Sequence, residues 1–111
     1  VGIMAKYYIA RSYLVLGQLA GAHRLFGEIL DTHPDLYPKT CYYIAKILSI
    51  QKKQGLSHYY LGLYYSKINN PPAAVIHLKK ALDTLKDKSD IKKAEILLRK
   101  LEKPGTGNNV S

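Results

Sequence analysis

The chain has 111 residues, 47% of them hydrophobic, which suffices for one compact domain or a short stack of helices. No run of 18 apolar residues occurs, so the sequence predicts no membrane-spanning helix. The single cysteine, Cys41, excludes an internal disulfide, and we expect an intracellular, cytoplasmic protein. Because Val1 stands where an initiator methionine would, we also expect the chain to be part of a larger protein.

The charge is strongly positive and unevenly distributed. The chain has seventeen Lys and Arg residues and eight Asp and Glu residues, giving a net charge of +9. No acidic residue occurs from Leu36 to Leu82. Such a field attracts acidic peptides, nucleic acid or a membrane surface, although the same charge is also compatible with solubility alone.

Helical periodicity dominates the chain from end to end. The second helix shows it best, with Leu19, Ala22, Leu25, Phe26 and Ile29 at the spacing of one buried stripe. Prolines and glycines mark the breaks between periodic segments. The pattern predicts an all-α domain over residues 1–103 with helices near 3–16, 18–32, 38–54, 57–68, 72–85 and 91–102. Ser89 is the expected cap of the last helix, and residues 104–111 are expected to form a flexible tail.

One short phrase occurs three times. Its copies are KYYIAR from Lys6, CYYIAK from Cys41 and HYYLGL from His58. The first two copies are 35 residues apart, a period typical of stacked helical units that cannot bury their apolar faces alone.

This pattern resembles the tetratricopeptide repeat, a 34-residue helix–turn–helix unit. The first matching unit has Ile9, Ala10, Tyr13, Ala22, Phe26 and Pro34. The other has Leu61, Gly62, Tyr65, Ala74, Leu78 and Ala81. In both units a small residue of one helix precedes a small residue of the next by 12 positions, which allows close packing of the pair. The resemblance implies a short right-handed solenoid of about six antiparallel helices.

The second and third tyrosine phrases depart from the repeat, because they are only 17 residues apart. Lys6 and His58 also stand where the family has tryptophan. Two interpretations follow. Either the helices on both sides of Gly55 form a third hairpin, with Gly55 as its connector, or a segment is missing near Gln54. We favour the third hairpin.

The resemblance also implies a function, because the first helices of such units line a protein-binding groove. The matching positions are Tyr7, Arg11, Tyr42, Lys46, Ser49, Tyr59, Leu63 and Lys67. Tyrosine with Arg or Lys is typical of recognition hot spots, although one tyrosine of each pair could instead be core. We therefore expect an adaptor or scaffold segment that binds an acidic peptide or helix in a groove free of acidic side chains. The alternative is a nucleic-acid-binding module that uses the basic stretch 36–82.

Nothing in the sequence predicts an enzyme, a cofactor or a metal. Neither phosphate-binding glycine motif occurs, and the four histidines lack ligand spacing. Cys41 is expected to be a small buried residue. Apolar residues near Val1–Met4 also allow self-association.

Overall fold

A computed structural model describes residues 1–103, and the expected tail at 104–111 lies outside the described residues. The described chain is all-helical and contains no strand. The helices are α1 (Ile3–Val15), α2 (Leu19–Thr32), α3 (Lys39–Ile50), α4 (Gln54–Lys67), α5 (Pro71–Thr84) and α6 (Lys88–Glu102). The prediction of an all-α fold with six helices is confirmed.

The helices pack in chain order, each against the next, and α4 also touches α6. The result is an elongated stack that measures 46 × 30 × 20 Å. Its largest fully buried side chains include Phe26 and Ile29 from α2 and Ile44 and Ile47 from α3. Inner helices are therefore covered on more than one side, whereas α1 makes its main helix contact with α2 alone.

Two of the helix starts have side-chain caps. The Asn70 side chain accepts a hydrogen bond from the Ala73 N–H at 3.3 Å, and prolines fill the first turn of α5, where a missing N–H costs nothing. Asp87 accepts from the Asp90 N–H at 3.1 Å and caps α6. The prediction that Ser89 caps this helix is wrong, because a suitable carboxylate stands two residues earlier.

The turn between α3 and α4 differs from the expectation that Gly55 is the connector. The turn is formed by residues 51–53, and Lys52 takes the left-handed conformation with a φ of 63°. Gly55 lies inside the first turn of α4. A Cβ at this position would come within 3.0 Å of Leu85 Cδ2, so the glycine serves close packing rather than a turn.

Three pairs of small residues fix the register of successive hairpins. Each pair is separated by 12 positions and fully or almost fully buried: Ala10 with Ala22, Ala45 with Ser57, and Gly62 with Ala74. The Ser57 hydroxyl donates a hydrogen bond to the Ala45 carbonyl at 2.8 Å. Helices α3 and α4 thus form the third hairpin, as favoured from the sequence.

Candidate partner-binding site

Tyr7 does not lie on an open groove, and that part of the prediction is corrected. Its side chain is 7% exposed and stacks on Tyr37 of the α2–α3 loop, with ring centroids 4.2 Å apart. Phe26 meets the ring edge-on at 6.2 Å. Burial is the main cause that raises the pKa of Tyr7 to about 12. Tyr7 is therefore a core residue of the α1–α2–α3 region.

Arg11 is exposed on α1 and held by aromatic rings. Its guanidinium carbon lies 5.3 Å from the Tyr8 ring centroid and 5.9 Å from that of Tyr43. Within residues 1–103 no carboxylate pairs with Arg11, whereas Lys6 and Arg24 both pair with Glu28. Arg11 is thus a positioned cation without a counter-charge among the described residues.

Three of the predicted site residues come together between α3 and α4. They line a shallow cleft of about 260 Å³, which we call the α3–α4 cleft. Its lining residues are Tyr42, Ala45, Lys46, Ser49, Ile50, Ser57 and Leu61. Tyr42, Lys46 and Ser49 follow one another at helical spacing along α3, and this is why one helix brings all three to the same opening.

The Tyr42 ring is fixed although it is 37% exposed. Tyr43 packs against it edge-on at 5.8 Å, and the ring of Tyr64 from α4 lies at 5.7 Å. The ammonium of Lys39 stands 5.8 Å from the ring centroid. Neighbours from both helices therefore limit its rotamers and present a pre-oriented aromatic surface.

The α3–α4 cleft is electropositive. Neither α3 nor α4 contains an acidic residue. Lys46 is exposed and makes no ion pair with any described residue. The cleft can therefore attract anions. Cys41 of α3 is buried, as the sequence predicts, and burial raises the pKa of its thiol to about 11.

The remaining predicted residues lie elsewhere. Tyr59 and Leu63 face α6 and line a second cleft of about 270 Å³ with Lys93, Ile96, Leu97 and Lys100. Lys67 donates to Asp35 at 3.1 Å, and its side chain is only 15% exposed. The predicted single groove without acidic side chains is therefore wrong. Tyr59 and Leu63 face α6, whereas Tyr42, Lys46 and Ser49 line the α3–α4 cleft, and Lys67 is paired with an aspartate.

The structure also brings together two histidines that the sequence places 19 residues apart. The Nδ1 atoms of His58 and His77 lie 3.1 Å apart, one donating to the other. The ring of Tyr65 stacks on His77 with a centroid distance of 5.4 Å. Burial is the largest cause that lowers the pKa of each histidine, and Lys80 lowers both further. No sequence spacing signals this contact, because it depends on how α4 meets α5.

Comparison of the chain with protein-family models, curated proteins and solved structures gives no match in any of the three. Within residues 1–103, no helix is both long and apolar enough to cross a membrane. In the same part of the chain, no three His, Cys, Asp or Glu side chains form a group that could hold a metal ion.

Proposed function

We propose that this chain is a protein–protein interaction module, part of an adaptor or scaffold, that binds an acidic peptide or helix in the α3–α4 cleft. The observation that carries the proposal is Tyr42, a ring fixed by Tyr43 and Tyr64 yet open to solvent beside Lys46. A rigid aromatic ring next to a cation is typical of binding hot spots, because little conformational entropy is lost on contact. The resemblance to tetratricopeptide repeats supports the same function.

The lining of the cleft specifies the ligand chemistry. Ile50 is 54% exposed and, with Leu61 and the Tyr42 ring, offers an apolar surface for one anchor side chain. Lys46 stands beside that surface and favours a carboxylate next to the anchor. Ser49 adds a hydroxyl that can donate or accept a hydrogen bond. The preferred ligand is therefore a segment with an aliphatic or aromatic anchor flanked by Asp or Glu.

Selection from a random peptide library tests the proposal, because it needs no identified partner. Peptides are selected on the wild-type protein and counter-selected on the Tyr42→Ala variant. We expect the surviving peptides to combine an apolar anchor with neighbouring acidic residues. Enrichment of basic peptides, or of peptides that bind the variant equally well, would contradict the proposal.

Binding kinetics of a selected peptide then separate the role of the Tyr42 ring from that of the Lys46 charge. Tyr42→Ala should speed dissociation and weaken affinity about tenfold to a hundredfold, as expected for a hot-spot ring. Lys46→Glu should mainly slow association and reduce its dependence on salt, because charge acts on encounter. Tyr8→Ala removes another exposed tyrosine outside the cleft and serves as the matched control, with no expected change.

A nucleic-acid ligand is the competing outcome. The wild type and Lys46→Glu are titrated with a short single-stranded RNA and a short DNA duplex at two salt concentrations. If only the nucleic acid binds, with a steep salt dependence that Lys46→Glu reduces, the basic stretch serves phosphate contacts and the protein-partner proposal fails.

A further inference from the structure

The α4–α5 hairpin holds the imidazole rings of His58 and His77 against each other. The two helices approach closely where Gly62 meets Ala74. His58 lies four residues before Gly62, and His77 lies three residues after Ala74, so each is about one helical turn from that contact. Because the helices of a hairpin run in opposite directions, both histidines lie on the same side of the contact. The packing that fixes the hairpin therefore also fixes the two rings.

The separation of the two Nδ1 atoms is that of two ligands of one metal ion. The atoms lie 3.1 Å apart. Two nitrogens that bind one ion at about 2.0–2.1 Å lie about 2.9 Å apart at a right angle and about 3.3 Å apart at a tetrahedral angle. The observed distance falls between these two values, so the backbones of α4 and α5 are already correctly spaced for coordination.

The rings need only a small reorientation to share an ion. Their centroids are 5.3 Å apart, close to the greatest separation that this N–N distance allows, so the two nitrogens point at each other. A turn of roughly 40° in each ring directs both lone pairs to one ion beside the line that joins the nitrogens. The χ2 torsion of histidine has broad minima, so the turn costs little.

The protonation of the pair suits coordination at neutral pH. Metal ions bind the neutral imidazole, and burial lowers the pKa of both histidines below the ordinary value. In the neutral pair one Nδ1 carries a proton and donates it to the other. When an ion binds, the donor ring takes the tautomer with its proton on Nε2, so both Nδ1 lone pairs become free without net release of a proton. Both side chains are half-buried, which leaves a path from solvent.

We propose that His58 and His77 form a binding site for one divalent transition-metal ion, Cu²⁺ most tightly, whose other ligands are water molecules. Imidazole is a favoured ligand of Cu²⁺, Ni²⁺ and Zn²⁺, and Cu²⁺ binds most strongly in this series. Within residues 1–103 no third His, Cys, Asp or Glu joins a metal-binding group, so the protein supplies only two ligands. Lys80 lies beside both rings, and its charge opposes a bound cation.

Titration of the metal-free protein with Cu²⁺ at pH 7.5 tests the proposal, with calorimetry for affinity and electron paramagnetic resonance for the ligands. We expect one ion per chain and hyperfine coupling to two imidazole nitrogens. His58→Gln and His77→Gln should each weaken binding at least about tenfold, because only one ring remains. His33→Gln removes an exposed histidine elsewhere and is the matched control, with no expected change. Lys80→Gln should tighten binding severalfold, because it removes the opposing charge.

Melting with Zn²⁺ gives a second measurement, which needs only the wild-type protein. The site exists only in the folded chain, so an excess of Zn²⁺ should raise the melting temperature. Absence of Cu²⁺ binding, one ion shared by two chains, or equal affinity in the wild type and both histidine variants overturns the proposal. A melting temperature that Zn²⁺ leaves unchanged overturns it as well. The site shares no residue with the lining of the α3–α4 cleft, so the two proposals can fail separately.

Discussion

At the scale of single residues, the missing Cβ of Gly62 sets the distance between α4 and α5. A Cβ there would lie 2.7 Å from Leu78 Cγ and 3.4 Å from the Ala74 carbonyl oxygen. Real Cβ atoms essentially never come so near another atom, so either Leu78 or the helix would have to move. Gly27 of α2 offers a contrast, because a Cβ there would meet nothing within 4 Å.

This contrast gives a matched pair of substitutions. Gly62→Ala should destabilise the protein by about 1–3 kcal/mol, because the added methyl overpacks a buried contact. Gly27→Ala should stabilise it by about 0.5–1 kcal/mol, because alanine is the better helix residue and the site has room. Denaturant unfolding of both variants measures the two free energies. A stabilising effect of Gly62→Ala would show that α4 and α5 are not in this register.

At the scale of elements, α4 differs from its neighbours because it serves two hairpins. Ser57 faces α3 through its hydrogen bond to Ala45, while Gly62 faces Ala74 of α5. The other side of the helix, at Tyr59 and Leu63, meets α6. The side of α4 that carries Tyr59 and Leu63 is thus turned towards α6 and away from the α3–α4 cleft, which explains why these residues do not line one groove with Tyr42.

The α4–α5 contact also carries the His58–His77 pair, which predicts a pH dependence. The pKa of both histidines is lowered in the folded state from the ordinary value near 6.5, so the unfolded chain binds more protons below that pH. Stability is therefore fully present above about pH 6.5 and is lost as the pH falls towards the lowered values. Each histidine lies beside a positively charged Lys80, and His77 also beside His58. None of these groups supplies a compensating negative charge.

Thermal unfolding between pH 7.5 and pH 5 checks this dependence. The wild type should lose stability over the range, and a variant with His58→Gln and His77→Gln should lose clearly less. His23 has a lowered pKa too, but it is present in both proteins and cancels in the comparison. If the melting temperatures of the two proteins fall equally with pH, protonation of the His58–His77 pair is not the cause of the loss of stability.

At the scale of the whole molecule, local sequence patterns predict the helices, whereas contacts between helices determine which residues form the site. Six helices follow from apolar spacing and from breakers such as Pro34, because both signals act within a few residues. The sequence predicts Gly55 to be a helix breaker. It lies instead inside a helix, where a side chain would collide with Leu85, 30 residues away. Tyr7 and Tyr42 occupy the same position in two copies of the tyrosine phrase, but Tyr37 stacks on Tyr7, which is buried, while Tyr42 is 37% exposed. Only the α3 part of the site was predictable, because one helix alone brings Tyr42, Lys46 and Ser49 together.

The net charge of +9 predicts how the stability of the whole stack responds to salt. Helices α3 and α4 contain no acidic residue, and the few ion pairs of the described chain, such as Lys6–Glu28 and Lys79–Glu102, lie near the surface. Exposed pairs contribute little, so repulsion among the excess cations is the larger electrostatic effect. Salt should therefore stabilise the fold, because the Debye length, over which charges repel one another, shortens from about 30 Å at 0.01 M to about 10 Å at 0.1 M ionic strength.

Melting temperatures in 10 mM and 300 mM sodium chloride test this expectation, with a charge-reduced variant as the control. Lys53→Gln with Lys80→Gln lowers the net charge from +9 to +7, since each substitution removes one cation. The wild type should melt at a higher temperature in the higher salt. The variant should melt above the wild type at low salt and gain less from added salt, because less repulsion remains to be screened. A wild type that melts at a lower temperature in high salt would instead show that its ion pairs outweigh the repulsion.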